Sequence, residues 1–120
     1  MQIRTKRIHD DPDPGDGTRI LVDRLWPRGV SKSAAQIAYW ARSVAPTDEL
    51  RKWYRHDPGK WEAFRERYFS ELENNSAAVE DLRRHMAGDV VTFVFGSRET
   101  ELNNATALRQ FLESRVDGSE

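Results

Sequence analysis

The stretch DVVTFVFG, Asp89 to Gly96, sets the first limit on what this chain can fold into. It is β-branched and aromatic, and apolar on both faces apart from Thr92, so neither side suits water. Such a segment reads as a central strand of a sheet covered on both faces. A second segment, RILVDRLW from Arg19 to Trp26, opens with the unbroken apolar run Ile20, Leu21, Val22. A turn precedes it, and Pro27 and Gly29 follow it, which again suits a strand buried on both faces.

Helical spacing fills most of the interval between them. Ser31 can cap a short helix through about Ile37, and Thr47 a helix over Asp48 to Arg55 with two acids in its first turn. Asp57-Pro58 pairs a capping acid with proline at the first helical position, and Trp61, Phe64, Tyr68 and Leu72 then recur on one face. Ser76 can cap a further helix with Val79, Leu82 and Met86 inward, ended by Gly88. Ala105, Leu108, Leu112 and Val116 mark the inner stripe of a last helix. The segment 39–45 fits either period; Tyr39, Trp40 and Val44 are read as a strand that stops before Pro46.

A short charged strand near residues 2 to 9 and the turn-rich stretch Asp10 to Gly17 complete the order. The expected fold is α/β: a small three-layer sandwich, with a mostly parallel or mixed sheet of about four strands and helices on both faces. At 120 residues the chain is expected to form a single domain, with a frayed tail over 117–120.

The bulk chemistry removes several function classes. There is no cysteine, which excludes disulfides, thiolate nucleophiles and cysteine-based metal sites. Net charge is −1, from 19 basic and 20 acidic residues, so no whole-molecule field draws nucleic acid or anionic membrane. No apolar run is long enough to span a bilayer, and the charged N-terminal MQIRTKRIHDD lacks a signal segment. A cytoplasmic location is therefore expected, with no membrane partner, no metal and no cofactor.

In open α/β sheets, ligands bind at the carboxyl ends of strands. DRLWPRG, Asp23 to Gly29, places an acid, two arginines and an indole within seven residues at one such end. GSRETELNN, Gly96 to Asn104, is the other, with Ser97, Arg98, Asn103 and Asn104. If the two are neighbours, Arg24, Arg28 and Arg98 converge on one anionic group, with Trp26 as a stacking wall and Asp23 or His56 for proton transfer. Each feature also has a structural reading. Asp23 can tie two loops together, Trp26 and Pro27 can form a packed lid, Ser97 and Asn103 can cap the last helix, and Glu99 can match its dipole. Asp57 is accounted for as a cap, which argues against a His56–Asp57 dyad. His9-Asp10-Asp11 lacks the second half of a metal site, and His85 falls on a polar helix face. LRKWYRHDPGKW, Leu50 to Trp61, interleaves cations with aromatics as nucleic-acid binders do, but also as amphipathic helices with snorkelling side chains do.

Three blocks together resemble a known family. DGTRILVDRLWPRGVSK (Asp16 to Lys32), APTDELRKWYRHDPGKWEAFRERYFSEL (Ala45 to Leu72) and VVTFVFG followed by NNATALRQFL are similar to the YeaO-like branch of the domain-of-unknown-function family 488. The likeness extends from about residue 3 to 114. It implies a small α/β protein without cofactor and draws attention to Asp23, Arg24, Trp26, Pro27, Arg28 and Gly29. It does the same for Trp53, His56, Asp57, Pro58 and Trp61, and for Asn103 and Asn104. This chain departs from the family pattern in its final loop. Gly96-Ser97-Arg98-Glu99 stands where small residues and Lys-Asp are usual, and Leu102 where histidine is common. The leading expectation is an enzyme or binding domain for a small anion, phosphate or nucleotide-like. The alternatives are a protein-interaction module presenting the Trp/Arg loop and a single-stranded nucleic-acid binder.

Overall fold

The computed structural model describes residues 1–118, with side chains through residue 115. Four strands, β1 (Gln2–Arg7), β2 (Thr18–Leu21), β3 (Tyr39–Trp40) and β4 (Val90–Phe95), form one sheet in the order β1-β4-β2-β3. All three pairings are parallel. Among the described residues α1 (Lys32–Ala35) lies between β2 and β3, α2 (Asp48–Tyr54), α3 (Trp61–Glu73) and α4 (Ser76–His85) lie between β3 and β4, and α5 (Asn104–Gly118) follows β4. This is the small α/β architecture expected from the two apolar runs. β4 lies inside the sheet, as its two apolar faces require.

The two faces of the sheet are covered unequally. On the first, Ile20, Val22, Val91, Phe93 and Phe95 meet the apolar sides of α2 to α5 in one large core. The stripe read as Phe64, Tyr68 and Leu72 on α3 lies inside it, together with Leu50, Leu82, Leu108 and Leu112. Each such side chain contributes about 1.5–3 kcal/mol on burial. Val116, expected on the same stripe of α5, and residues 119–120 of the expected tail lie outside the described side chains and residues respectively.

The second face is divided in two. Toward the carboxyl ends of the strands, Ile8, Leu21 and Val94 form a smaller cluster with Ala35, Trp26, Ile37 and Trp40. Toward the amino ends the inward residues are polar, and the turn Pro14–Asp16 covers them. Asp16 is buried there; it accepts from Arg19 at 2.7 Å and from Lys6 at 3.1 Å. Arg19, 4% exposed, spends its other donors on the Ala35 carbonyl, and the Thr92 hydroxyl donates to the carbonyl of Asp16. Gly17 closes the turn with φ +64°, where a Cβ would lie 2.1 Å from the Val90 carbonyl, so only glycine fits.

Two local expectations are corrected. The strand expected over 39–45 pairs only through Tyr39 and Trp40, because β2 ends at Leu21 and offers no further partner; Val44 belongs to the short 3₁₀ turn Arg42–Val44. Ser76 is the first residue of α4 rather than its cap. Asn75 occupies the cap position and directs its side-chain amide to the Ser43 carbonyl at 2.9 Å.

Asp16→Ala would leave Arg19 buried without its anion, and is expected to lower the unfolding free energy by about 3 kcal/mol in urea titration. Burial alone pushes the Asp16 carboxyl up, but bonds from the Asp13 N–H, Lys6 and Arg19 outweigh it and hold its pKa below the ordinary 3.8. The Asp16 contribution is therefore complete above pH 3.8 and is lost as pH falls through the depressed value. The stability difference between wild type and variant should shrink over that acid range.

Candidate functional site

Because every strand is parallel, their carboxyl ends share one rim of the sheet. The segments after β2 and β4 meet there. One Asp23 carboxylate oxygen accepts the Gly96 N–H at 2.8 Å, and the other accepts the Asn104 side-chain amide at 3.2 Å. The same amide also donates to the Val22 carbonyl at 3.0 Å. Asp23 thus ties the end of β2 to the end of β4 and to the first turn of α5. The fit at position 96 is close: a Cβ there would come within 3.1 Å of Pro27 Cγ and 3.2 Å of the Asp23 carboxylate, so a larger residue needs those neighbours to give by a few tenths of an ångström. Arg7, at the end of β1, joins the rim by donating to the Ser97 carbonyl at 2.9 Å.

A cavity of about 540 Å³ opens over this junction. Its apolar wall is Leu25, Trp26, Pro27, Pro46, Tyr54 and Phe64. Its polar lining consists of Asp23, Asn104 and Ser97 with the guanidinium groups of Arg24, Arg28 and Arg51 and the imidazoles of His9 and His56. Arg28 is exposed and makes no hydrogen bond or ion pair among the described residues. Arg51 pairs only loosely with Asp48 at 3.3 Å, both side chains being about half exposed. Such a pair contributes little and leaves the guanidinium available. His56 is held at the cavity by an unusual backbone: Arg55 and His56 have φ of +50° and +55°, two successive non-glycine residues in the left-handed region. Strain of this kind concentrates at binding and catalytic positions.

Among the described residues Asp23 is the only carboxylate lining the cavity. Burial pushes its pKa above the ordinary carboxylate value, against the opposing effects of the Gly96 N–H, the Asn104 amide and the positive charges of His56 and Arg51.

The structure divides the residues singled out from sequence into two groups. Asp23, Arg24, Trp26, Arg28, His56, Ser97 and Asn104 all line the cavity. Arg24 is committed to the frame, however, donating to the carbonyls of Pro46 at 3.1 Å and Ala45 at 3.0 Å. Arg98 is exposed and outside the lining, so the expected trio of Arg24, Arg28 and Arg98 does not converge. Asn103 is fully buried and outside it too. It caps α5, accepting the Thr106 N–H at 3.0 Å and donating to the Glu99 carbonyl at 2.7 Å. Glu99 serves the same turn, its carboxylate accepting the N–H groups of Glu101 and Leu102. Sequence reasoning missed Arg51 as a cavity residue, in a block weighed as an amphipathic helix or a nucleic-acid binder, and His9, set aside for want of metal partners. The Leu50 to Trp61 segment turns Tyr54 into the core, while Lys60 and Arg67 lie over the Trp53 ring at 5.0 Å and 4.0 Å.

A protein-family model described as the inactive DUF488-N3 subclade matches residues 2–120. The chain belongs to that family. It is similar to uncharacterized protein Rv3073c of Mycobacterium tuberculosis strain H37Rv, 41% identical over 114 residues that cover 95% of this chain and 96% of the relative. Uncharacterized protein YeaO of Escherichia coli K12 is 34% identical over the same length, covering 95% and 99%. No solved structure matches. The YeaO-like resemblance carried by the three sequence blocks is thus the family likeness found over the whole chain.

In this member of the DUF488-N3 subclade both hydroxyls of the cavity are already engaged. Ser97 Oγ accepts the Glu99 N–H at 2.9 Å and reaches back to the Glu99 carbonyl at 3.3 Å. The Tyr54 hydroxyl donates to the Leu102 carbonyl at 2.7 Å, and burial, with the charges of Glu99 and Asp57, pushes its pKa up to about 12. The cavity therefore offers cations, one acceptor and an apolar wall, with no free hydroxyl among its lining.

Asp23→Ala would strand the part-buried Gly96 N–H and leave the Asn104 amide with only the Val22 carbonyl, and is expected to cost about 1–3 kcal/mol in urea unfolding. His56→Gly should act in the opposite direction. It relieves a left-handed non-glycine residue worth about 1 kcal/mol, so its melting temperature should equal or exceed that of wild type.

Proposed function

We propose that this cavity binds a small anion, phosphate-bearing or nucleotide-like, and that the domain is a binding module rather than a catalyst. The observation that carries the reading is the gathering of Arg28, Arg51 and His56 on one cavity from separate segments, opposite a single carboxylate that already holds two donors. Guanidinium groups at such a mouth suit bidentate bonding to phosphate or carboxylate. A half-apolar pocket with a few convergent polar groups is the usual form of a small-molecule site. The engaged Ser97 and Tyr54 hydroxyls, and the family's description as inactive, fit binding without turnover.

The two competing readings have less support. Trp26 donates its indole N–H to the Val30 carbonyl at 2.7 Å and sets its ring edge-on to Trp40, which leaves less of it to offer a protein partner. Tyr54 and Trp61 pack on Phe64 rather than offering faces to bases. No helix among the described residues is long and apolar enough to cross a membrane.

Thermal-shift screening against nucleotides and phosphorylated metabolites tests the proposal. A ligand at a hundred times its Kd stabilises the folded state by about 2.7 kcal/mol and raises Tm by several degrees. Arg28→Ala should melt like wild type without ligand and lose most of the shift. Absence of any shift across the panel, or an Arg28→Ala protein that responds as fully as wild type, overturns the reading.

A further inference from the structure

Asp23 holds chemistry that neither its structural role nor anion binding uses. An ionised carboxylate has about four acceptor positions. Within the chain, one side-chain oxygen receives the Gly96 N–H and the other the Asn104 amide, leaving about two positions on a group that lines the cavity. It forms no ion pair among the described residues, and it is half-buried. A partly desolvated carboxylate with spare acceptor capacity gains most from a ligand that brings a donor.

The surroundings narrow what that donor can be. An ammonium group would share the cavity with the guanidinium groups of Arg24, Arg28 and Arg51. Like charges gathered around one site disfavour it. A neutral donor has no such conflict, and hydroxyl groups supply one without adding charge. The walls narrow the rest of the ligand. A bare phosphate ion would leave most of the roughly 540 Å³ and the apolar surfaces of Leu25, Trp26 and Pro27 in contact with water. The ligand therefore needs a body as well as a charge.

Resting on the anion-binding reading above, we propose that the ligand is a hydroxylated phosphate ester, a sugar phosphate or nucleotide, with a hydroxyl donating to Asp23 and the phosphate on Arg28 and Arg51. In this arrangement Asp23 sets specificity and the arginines supply affinity. The acid recognises the hydroxyl by the same acceptor chemistry through which carboxylates at strand ends elsewhere hold ribose hydroxyls.

Calorimetric titration of the wild-type chain decides this without relying on any variant at Asp23. The probes are AMP, its 2′,3′-dideoxy analogue, ribose 5-phosphate and inorganic phosphate. AMP or ribose 5-phosphate should bind at least about tenfold more tightly than both the dideoxy analogue and inorganic phosphate. Ribose 5-phosphate matching AMP assigns a sugar phosphate, and AMP tighter by a further tenfold assigns a nucleotide. Arg28→Ala should weaken all phosphate compounds by a similar factor. Binding that is sensitive to Arg28→Ala but indifferent to the missing hydroxyls overturns the Asp23 assignment and leaves the anion site standing. Absence of any Arg28-sensitive binding removes the anion site and this inference with it. Asp23→Asn gives a second readout: its amide NH2 would face either the Gly96 N–H or the Asn104 amide, so its Tm should fall. On protein still folded at the titration temperature AMP and its dideoxy analogue should become equal, whereas persistence of the discrimination would place its source elsewhere.

Discussion

The Asp23 carboxylate connects three parts of the chain that are far apart in sequence: its own loop after β2, Gly96 after β4, and Asn104 at the start of α5. Parallel strands cannot be joined by tight hairpins, so their ends are brought together only by crossovers and by bonds like these. At this junction the backbone donor of Gly96 would otherwise be partly buried without an acceptor. The carboxylate satisfies it and in doing so fixes the distance between the loops, with Pro27 seated against Gly96. The cavity is the space left above that junction. The group that shapes its floor is also the group with acceptor capacity remaining.

The sheet's second face shows why so small a protein can leave such a site open. Most of the apolar burial is on the first face, under α2 to α5. The second face is closed by little more than α1, the loop carrying Trp26, and the polar arrangement around Asp16 and Arg19. Trp40 joins that closure to the site: its ring packs against Trp26, and its indole N–H donates to the Asp23 backbone carbonyl at 2.7 Å. The frame of the cavity is therefore anchored in both cores, while its cations remain at the surface, where strain such as that at Arg55 and His56 can be tolerated.

Much of the fold was legible because hydrophobic pattern reports burial directly. VVTFVF has no polar side and had to be an inner strand; Phe64, Tyr68 and Leu72 repeat at helical spacing and had to face a core. Where the pattern was short or mixed it failed. Tyr39 to Val44 satisfied both periods, and the outcome depended on where β2 ran out of partners. Asp16 and Arg19 read as a turn residue and a strand flank, since nothing local marks a buried ion pair whose members are satisfied by Lys6 and Ala35 from other segments. In the site, DRLWPRG and GSRETELNN drew attention through composition, but composition could not say which arginine was spoken for. Arg24 is bound to Ala45 and Pro46, Arg98 lies outside the lining, and Arg51 arrives from a helix whose cations and aromatics fitted other readings.

From its residues alone the chain determined an α/β domain, the interior position of its late strand, its helix caps at Ser31, Thr47 and Asp57, and the two loops where chemistry gathers. These follow from side-chain period, turn stereochemistry and capping, which act over a few residues. Tertiary structure decided that those loops meet, that Asp23 is shared between them, and that Arg51 joins the expected Arg28 and His56 on one cavity, while Arg24 is spent on backbone carbonyls and Arg98 lies outside the lining. The physical reason is the parallel crossover. It places residues some 70 positions apart within hydrogen-bonding distance, and no local pattern encodes which donor will find which acceptor across that span.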